Sequence, residues 1–406
     1  MSPSQTASPP GNDPAARLRR MSVLIGLGIF ATSLVNYNRL ARLPLRSIIK
    51  DDMGLPPEAM ASFFALAGLA SYLKPLAGAL SDHVPILGTR RRPYLLISAF
   101  GGAAVWTATA FMPRTYDNLL AMMIVLNVMV VLGNTTLGGL LVDCGHAHGA
   151  TGRLSAVKVT AMNGAMLMVG PVGGWLAGRT LGVTCLIGAT MMLSLVACIL
   201  RLPPEEPRRA TTEPGRAGEL SLLRQLRSRG FLIGGLICVA FYAAPSFGTP
   251  LYYFQKDTLA LSDQQIGWLV ALNCLGGVVG ALCYPTLCRR LKLRSLLLAG
   301  IATYAGCMLL YLAYRSWTAA LLLESLSGCL CTLGVLPLQH LAVRASPSHS
   351  GAFGYALLLG VGNAAVALSD MLGTGLMAWF ELGLVDLIWI SAATAVTGLD
   401  MDHRQT

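Results

Sequence analysis

The chain has 406 residues, of which 54% are hydrophobic and only 12% are charged, and its mean hydropathy is +0.61. Soluble domains carry about 25% charged residues, so this chain has too few charges to cover a water-facing surface of its size. The composition excludes a soluble globular protein, a disordered chain, a collagen and a disulfide-rich secreted scaffold. It indicates a protein that crosses the membrane several times.

Apolar stretches of about 20 residues, the length that crosses a bilayer as a helix, recur along the chain. Their length and the absence of two-residue alternation exclude an outer-membrane β-barrel, whose strands are only about 10 residues long. We predict an all-α polytopic membrane protein with twelve transmembrane helices, at about 20–48, 57–80, 94–112, 118–142, 154–178, 181–201, 230–254, 263–286, 295–314, 317–342, 351–379 and 383–400.

A polar stretch rich in Pro, Glu and Arg separates the sixth predicted helix from the seventh, and so divides the helices into two groups of six. The first residues of the chain are rich in Pro and Ser and too poor in apolar residues to fold. The expected domains are a disordered cytoplasmic tail at 1–16, an N-terminal six-helix bundle at 17–201, a cytoplasmic linker at 202–229 and a C-terminal six-helix bundle at 230–406.

Lys and Arg residues are unevenly distributed between the two sides of the predicted bundle. The side that carries both termini has 21 of them and the opposite side has 8. Because cytoplasmic loops are enriched in Lys and Arg, we expect both termini in the cytoplasm and the protein in the plasma (inner) membrane. This bias also explains the net charge of +11, so we expect no nucleic-acid partner.

The segments Gly78-Ala-Leu-Ser-Asp82 and Gly280-Ala-Leu-Cys-Tyr284 end the second and eighth predicted helices, 202 residues apart. This spacing fits two parallel six-helix repeats, the arrangement of the major facilitator superfamily. The loop that follows the first segment resembles that superfamily's G-x-x-x-D…G-R-R signature. In such a loop, Asp82 receives a helix N-terminus or an arginine across the two halves, whereas the arginines either take part or only anchor the cytoplasmic side. The expected gating loop comprises Gly78, Asp82, Gly88, Arg90, Arg91 and Arg92.

Three passages resemble a narrower family, the folate-biopterin transporters. They are Lys50-Asp51-Asp52-Met53-Gly54-Leu55 with Pro57, the block from Lys74-Pro75-Leu76 to Arg90-Arg91-Arg92-Pro93-Tyr94, and Ala244-Pro245-Ser246-Phe247-Gly248 with Tyr252, Tyr253 and Phe254. A looser match runs from Pro347 to Leu372-Gly373. The resemblance implies a secondary active transporter that moves a folate, a biopterin or a related organic anion by alternating access, in symport with protons.

Two other functions remain open from the sequence. Helix five contains Gly170-Pro171-Val172-Gly173-Gly174, for which tight helix packing with a proline kink is a sufficient cause. The stretch also partly resembles a motif of drug/proton antiporters, which suggests antiport or efflux of another small organic solute as the alternative. The bacteriochlorophyll-delivery proteins of light-harvesting assembly share an S-D…G-x-R-R-x-P-Y loop, so an assembly factor is the second alternative. The sequence has no G-x-x-x-x-G-K-[ST] motif and no paired nucleophile and base at membrane depth, so we expect neither ATP-driven transport nor an enzyme.

Ionisable side chains inside a bilayer are costly, so those in the predicted spans indicate a water-filled cavity or an ion partner. A pocket for folates or pterins needs cations for carboxylates, amides for the ring edges and aromatic rings for stacking. Arg42 and Arg46 either add to this charge or mark the membrane boundary. The substrate-binding candidates are Lys74, Arg39, Asn38, Tyr37, Phe247 and Asn363, and the proton-coupling candidates are the carboxyl groups of Asp370 and Glu324.

The remaining expectations concern partners. The ten cysteines lie mostly inside hydrophobic spans, and the C-x-C at Cys329 and the H-x-H at His146 lack the second half of a zinc pattern. We therefore expect no metal, no cofactor and no catalytic residue. The expected partners are the lipid bilayer and a small-molecule substrate, and we expect a monomer.

Overall fold

The structure is a computed structural model, and it describes residues 14–84, 86, 89, 91–147, 151–201, 232, 235–236, 239, 241–242, 244–345 and 351–403. The predicted linker at 202–229 lies outside these residues, as do residues 1–13 of the predicted tail.

The described residues are helical almost throughout. The N-terminal half contains α1 Pro14–Leu34, α2 Arg42–Ser47, α3 Pro57–Ala67, α4 Leu69–Tyr72, α5 Lys74–His83, α6 Arg92–Phe111, α7 Tyr116–Ala147, α8 Thr151–Ala177 and α9 Leu181–Arg201. The C-terminal half contains α10 Gly248–Asp257, α11 Asp263–Arg290, α12 Leu293–Leu310, α13 Trp317–Ala345, α14 Gly351–Phe380 and α15 Leu384–His403. A π-helical turn, Ile48–Asp52, follows α2, and a 3-10 turn, Tyr311–Ala313, follows α12.

These helices confirm the predicted all-α class. The β-structure among the described residues is an isolated bridge between Ile86 and Thr89. Helices satisfy their own backbone hydrogen bonds, which lipid cannot do for them. Within the part of the chain that the structure describes, six segments are by themselves long and apolar enough to cross a membrane: Arg92–Phe111, Tyr116–Leu141, Leu181–Arg201, Asp263–Tyr284, Arg294–Ala313 and Trp317–Leu338.

The first predicted span, 20–48, is not one continuous helix. α1 ends at Leu34 and consecutive turns occupy residues 35–41, which we name the Asn36 break. Its backbone polar groups find local partners, because the N–H of Arg39 donates to Asn36 at 2.9 Å and the N–H of Leu40 donates to Leu34 at 3.1 Å. The break therefore meets the requirement that backbone groups at membrane depth be hydrogen-bonded.

The seventh predicted span is also interrupted. Residues 244–247, which we name the Pro245 break, are not helical, and α10 begins immediately after them. The N–H of Ser246 donates to the carbonyl of Ser369 in α14 at 2.9 Å, and the hydroxyl of Ser391 in α15 donates to the carbonyl of Pro245 at 2.5 Å. The two breaks occupy the first helix of each half, and such paired interruptions mark the substrate site in many transporters.

The two halves repeat each other at an offset of 206 residues. The N–H of Leu55 donates to the carbonyl six residues earlier at 3.0 Å, and the N–H of Leu261 does the same at 2.9 Å. Gly54 has a φ of +64° and Ala260 has a φ of +50°, so the same left-handed turn ends both segments. This geometry supports the two-repeat arrangement expected from the sequence.

The two halves pack against each other where α8 meets α11 and where three short helices of the N-terminal half meet α14. α8 meets α11 through glycines, because a Cβ atom on Gly170 or on Gly267 would overlap the backbone of the opposite helix. Helices α3, α4 and α5 contact α14. One hydrophobic cluster joins buried rings from both halves, such as Trp106 and Tyr252. Several of the functional side chains described next, such as Arg46 and Lys50, contact residues of both halves at this interface.

Candidate functional site

Three arginines from the Asn36 break and α2 form the arginine cluster: Arg39, Arg42 and Arg46. Their spacing of three and four residues places them along one side of a helical turn. Arg46 is only 8% exposed, and its guanidinium lies 5.8 Å from the ring centre of Phe64 and 5.2 Å from that of Tyr252. Phe64 belongs to the N-terminal half and Tyr252 to α10, so Arg46 lies between the halves.

The guanidinium groups of the arginine cluster are poorly satisfied. Within the described part of the chain, none of them has a carboxylate within 4 Å, and Nη1 of Arg39 and Nε of Arg46 are buried without a hydrogen-bond partner. A buried charge without a partner is costly, and guanidinium groups bind carboxylates well. The cluster is therefore suited to an anionic ligand.

Asp370 in α14 is an acidic residue close to this cluster. It interacts electrostatically with Arg42 and Arg46. Its carboxylate oxygens, however, accept hydrogen bonds from the backbone N–H of Thr249 at 3.1 Å and from the hydroxyl of Thr249 at 2.5 Å. The structure thus binds Asp370 to the beginning of α10 rather than to an arginine.

Lys74 extends the positive charge along the N-terminal half. It begins α5, is half-buried, and interacts electrostatically with Arg39 and Lys158. No carboxylate among the described residues lies within 4 Å of its ammonium group. The structure therefore places the two predicted cationic candidates, Lys74 and Arg39, near each other.

Tyr37 and Asn38, also predicted as substrate contacts, have different environments. Tyr37 is 4% exposed, stacks on Phe64 with ring centres 6.2 Å apart, and donates its hydroxyl to the carbonyl of Phe64 at 3.3 Å. It therefore supports Phe64, the ring beneath Arg46. Asn38 is exposed, and its backbone N–H donates to the side chain of Asn36 at 2.9 Å.

The last two substrate candidates belong to the C-terminal half. Phe247 lies in the Pro245 break, is 9% exposed, and meets the ring of Tyr311 edge-on at 5.1 Å. Asn363 is exposed on α14. Among the described residues, neither side chain forms a hydrogen bond or a ring contact with the arginine cluster, so their role as substrate contacts stays a prediction.

Glu324 in α13 is buried in a network of neutral donors. Its carboxylate accepts hydrogen bonds from the amide of Asn273 at 3.0 Å and from the hydroxyls of Tyr311 and Tyr314 at 3.3 Å each. The amide of Gln255 donates to the hydroxyl of Tyr314 at 2.6 Å. No basic side chain among the described residues lies within 4 Å of Glu324. These donors suit the carboxyl group in either protonation state.

Part of the predicted gating loop lies outside what the structure describes. This applies to the side chain of Asp82 and to all of Gly88 and Arg90. A Cβ atom on Gly78 would lie 3.3 Å from the methyl group of Thr135 in α7, so the glycine permits close contact between α5 and α7.

The two arginines of this loop that the structure describes contact their own half. Nη1 of Arg91 lies 3.4 Å from the hydroxyl of Ser81, and Nη2 of Arg92 donates to the carbonyl of Ile199 in α9 at 3.4 Å. These contacts fasten the loop to α5 and α9. The predicted gating role of the loop is not tested by them and stays a prediction.

The sequence analysis missed an ionic cluster between the halves, which we name the lysine–aspartate cluster. The ammonium of Lys50 lies 2.5 Å from Asp257, and that of Lys256 lies 2.9 Å from Asp51 and 3.2 Å from Asp263. The first two pairs are reciprocal, because Lys50-Asp51 and Lys256-Asp257 are the same dipeptide at the 206-residue offset. That repeated dipeptide was the signal in the sequence.

Lys256 remains charged in this cluster. Burial lowers the pKa of its ammonium, but hydrogen bonds and charge from Asp51 and Asp263 outweigh burial, so the pKa is raised above its ordinary value. Tyr253 adds two further contacts between the halves. The ammonium of Lys50 lies 4.8 Å from its ring centre, and its hydroxyl donates to the carbonyl of Leu55. The cluster therefore joins the two halves by ion pairs at one edge of their interface.

Over most of its length, the chain is similar to known proteins. The model of the BT1 family matches residues 37–393. The folate-biopterin transporter of Synechocystis sp. is 24% identical over 372 residues, which cover 84% of this chain and 72% of that protein. The probable folate-biopterin transporter 7 of Arabidopsis thaliana is 23% identical over 301 residues, covering 70% of this chain and 66% of that protein.

Solved structures show the fold. A point mutant of the nucleoside transporter NupG superposes with a TM-score of 0.73 at 14% identity, covering 94% of this chain and 99% of that one. A D-xylose-proton symporter gives a TM-score of 0.66 at 17% identity, with coverage of 94% and 97%. These similarities confirm the predicted fold of the major facilitator superfamily.

Proposed function

Because the chain belongs to the BT1 family and is a secondary transporter embedded in the membrane, we propose that it carries a folate, a biopterin or a related organic anion by alternating access. The family and the fold are those of transporters and not of enzymes. The proposed substrate class follows the relatives, whose names specify folate and biopterin.

The arginine cluster is the observation that carries this proposal. It offers guanidinium groups without carboxylate partners at the interface between the halves, and one of them is stacked between two aromatic rings. A carboxylate of the substrate would supply the missing partners, whereas the rings would give a flat heterocycle a surface to stack on. Lys74 would add a cation farther along the same half.

Uptake of labelled folate and biopterin into proteoliposomes tests the proposal. We expect saturable uptake by the wild-type protein and a loss of at least about tenfold in folate uptake when Arg42 is replaced by Gln, because one charge-assisted partner is lost. Arg315→Gln is the matched control, since Arg315 is an exposed arginine outside the interface. Folded wild-type protein that takes up neither compound would refute the substrate class and would favour another solute or a pigment-assembly role.

We propose further that transport is coupled to protons through Glu324. Its donors are neutral, so the carboxyl group can be protonated without breaking an ion pair. It also connects to the Pro245 break, because Tyr311 contacts both Glu324 and Phe247. Asp370 is the second candidate, and its carboxyl group accepts two hydrogen bonds from Thr249 at the beginning of α10.

Replacing Glu324 by Gln separates coupling from transport. The amide keeps hydrogen-bonding capacity in the network but cannot exchange a proton. We expect folate accumulation driven by a pH gradient to fall to the level reached without a gradient, while exchange of external for internal folate continues. Accumulation at the wild-type level would remove Glu324 from the coupling step.

The orientation and the gates complete the proposal. The charge bias supports both termini in the cytoplasm of a plasma-membrane protein, and composition supports a tail at 1–16 and a linker at 202–229. In this orientation the lysine–aspartate cluster would lie on the opposite face. The cluster then acts as the gate of that face, and the loop with Asp82, Arg91 and Arg92 acts as the cytoplasmic gate. Substrate would reach the arginine cluster from one face at a time.

A further inference from the structure

In the first turn of α10, the N–H of Gly248 donates to the hydroxyl of Ser246 in the Pro245 break at 3.1 Å, and the next N–H, that of Thr249, finds its acceptor on another helix. The N-cap residue, Phe247, has no side-chain acceptor. The first backbone N–H groups of α10 also lack the carbonyl partners that a continuous helix would supply. Asp370, which comes from α14, accepts hydrogen bonds from both the N–H and the hydroxyl of Thr249. A carboxylate at this place satisfies a free donor and complements the positive end of the helix dipole.

The same carboxylate binds α10 one turn from the arginine cluster, because Thr249 and Tyr252 are three residues apart on α10 and the guanidinium of Arg46 lies 5.2 Å from the ring centre of Tyr252. Asp370 interacts electrostatically with Arg42 and Arg46 but forms no ion pair within 4 Å among the described residues. Its hydrogen bonds to Thr249 keep it from closing onto the guanidinium groups. Asp370 thus partly balances the charges of Arg42 and Arg46, while one buried donor each on Arg39 and Arg46 remains available to a ligand.

We infer that Asp370 is a positioning residue for substrate binding: as a cap supplied by another helix it fixes α10 beside the arginine cluster, and its charge limits how tightly an anion binds there. A carrier must release its substrate as well as bind it, so a site with three uncompensated cations would hold an anion too strongly. The inference rests on the proposed transport of organic anions.

Two variants separate the cap from the charge. Asp370→Asn keeps an oxygen acceptor for Thr249 but removes the charge, whereas Thr249→Val removes the hydroxyl donor and leaves the charge in place. The assay measures equilibrium binding of folate, which is anionic at neutral pH, and of biopterin, which is uncharged, to purified full-length protein. Comparing the two ligands isolates the electrostatic part of binding, which a purely structural role would not change.

For Asp370→Asn we expect folate to bind on the order of tenfold more tightly and biopterin to change by less than about twofold, because only the anion senses the lost charge. For Thr249→Val we expect both ligands to bind more weakly by a similar factor of about three to ten, because one hydrogen bond that positions α10 is lost. Folate exchange should also slow in Asp370→Asn as release becomes more difficult.

Three results would overturn the inference. An unchanged ratio of folate to biopterin affinity in Asp370→Asn would exclude the charge effect, and wild-type affinities in Thr249→Val would exclude the cap. Loss of gradient-driven accumulation with normal exchange in Asp370→Asn would make Asp370 the proton carrier instead. Wild-type protein that binds neither ligand would refute the proposed substrate class itself, a failure that is distinct because it precedes any substitution.

Discussion

Arg46 illustrates how a charged residue at the end of an apolar span comes to lie between the two halves. The sequence left two interpretations open for it, a marker of the membrane boundary and a substrate contact. The structure places its guanidinium between the rings of Phe64 and Tyr252, which come from different halves. A charge at the end of a span has the same sequence pattern in both cases, so only the tertiary arrangement distinguishes them.

Replacing Arg46 by Lys should impair transport although the charge is kept. A lysine ammonium is compact and strongly hydrated, and it cannot present a planar face to two rings at once. We expect the KM for folate uptake to rise about tenfold, which corresponds to the loss of one buried cation–π contact. Initial uptake rates in proteoliposomes at several folate concentrations measure this change.

Arg179 provides the matched control for this substitution. It also stacks on an aromatic ring, that of Trp175 at 5.3 Å, but it is exposed at the end of α8. Arg179→Lys should leave the KM unchanged, because nothing in the proposed site depends on it. Equal effects of the two substitutions would mean that the change reflects membrane anchoring and not substrate binding.

The backbone at Ala260 is strained in a way that its repeat partner avoids. Ala260 has a φ of +50°, whereas the equivalent position in the first half is Gly54. A side chain in the left-handed region costs about 1–2 kcal/mol, and glycine removes that cost. We expect Ala260→Gly to stabilise the folded protein by about 1 kcal/mol, after the loss of chain entropy is included. Thermal unfolding in detergent measures the shift.

The reverse substitution completes the test. A Cβ atom on Gly54 would meet no atom within 4 Å, so Gly54→Ala introduces only the backbone strain. We expect it to destabilise the protein by about 1 kcal/mol. Substitutions that both lower the unfolding temperature, or both raise it, would contradict a left-handed turn repeated in the two halves.

At the scale of secondary structure, hydropathy located the helices but not their interruptions. The span 20–48 reads as continuous because residues 35–41 contain Val35, Leu40 and Ala41 among the polar residues, and an average over 20 residues hides them. The second interruption had a local signal in Pro245, since proline removes a backbone donor. Which groups replace the lost helical bonds depends on Ser369 and Ser391, and that pairing is not visible in the sequence.

The crossing of α8 and α11 shows what the glycine-rich stretch of the fifth span does. Gly170 approaches the backbone of Gly267 so closely that neither position has room for a Cβ atom. Small residues permit such contacts between membrane helices. The packing interpretation of Gly170-Pro171-Val172-Gly173-Gly174 is thereby supported, and the stretch joins the two halves at a surface that must rearrange during transport.

Gly267→Ala should separate these two helices. The added methyl group would overlap the carbonyl of Gly170, and overpacking of this kind costs about 1–3 kcal/mol. We expect a lower unfolding temperature in detergent and slower folate uptake. Gly306→Ala is the control, because a Cβ atom there meets nothing within 4 Å and alanine favours the helix. A Gly267→Ala protein as stable and as active as Gly306→Ala would contradict the close crossing.

At the scale of the whole molecule, composition and span length predicted the class, and the internal repeat predicted the arrangement of two halves. The contacts between the halves could not be predicted in the same way. Lys50 and Asp257 are separated by more than 200 residues, and a Lys-Asp dipeptide in a loop is usually a solvated pair. Only the pseudo-symmetric arrangement turns two identical dipeptides into reciprocal ion pairs.

Charge reversal tests whether these pairs close one face of the carrier. Lys50→Asp places a carboxylate beside Asp257, and Asp257→Lys places an ammonium beside Lys50, so each single variant replaces attraction by repulsion. We expect each to open this face and to slow folate uptake about tenfold, and we expect the double variant to recover most of the rate because the pair is restored with exchanged partners.

The opening is measured directly at Gln264, which is half-buried and donates to the carbonyl of Pro171 across the interface at 3.4 Å. A cysteine at this position, in a background without other cysteines, should react faster with a membrane-impermeant maleimide in both single variants than in the wild type or the double variant. If the double variant stays as reactive and as slow as the single ones, the ion pair between Lys50 and Asp257 does not hold this face closed, and closure must depend on the other contacts between the halves, such as the Lys256–Asp51 pair and the glycine contacts of α8 and α11.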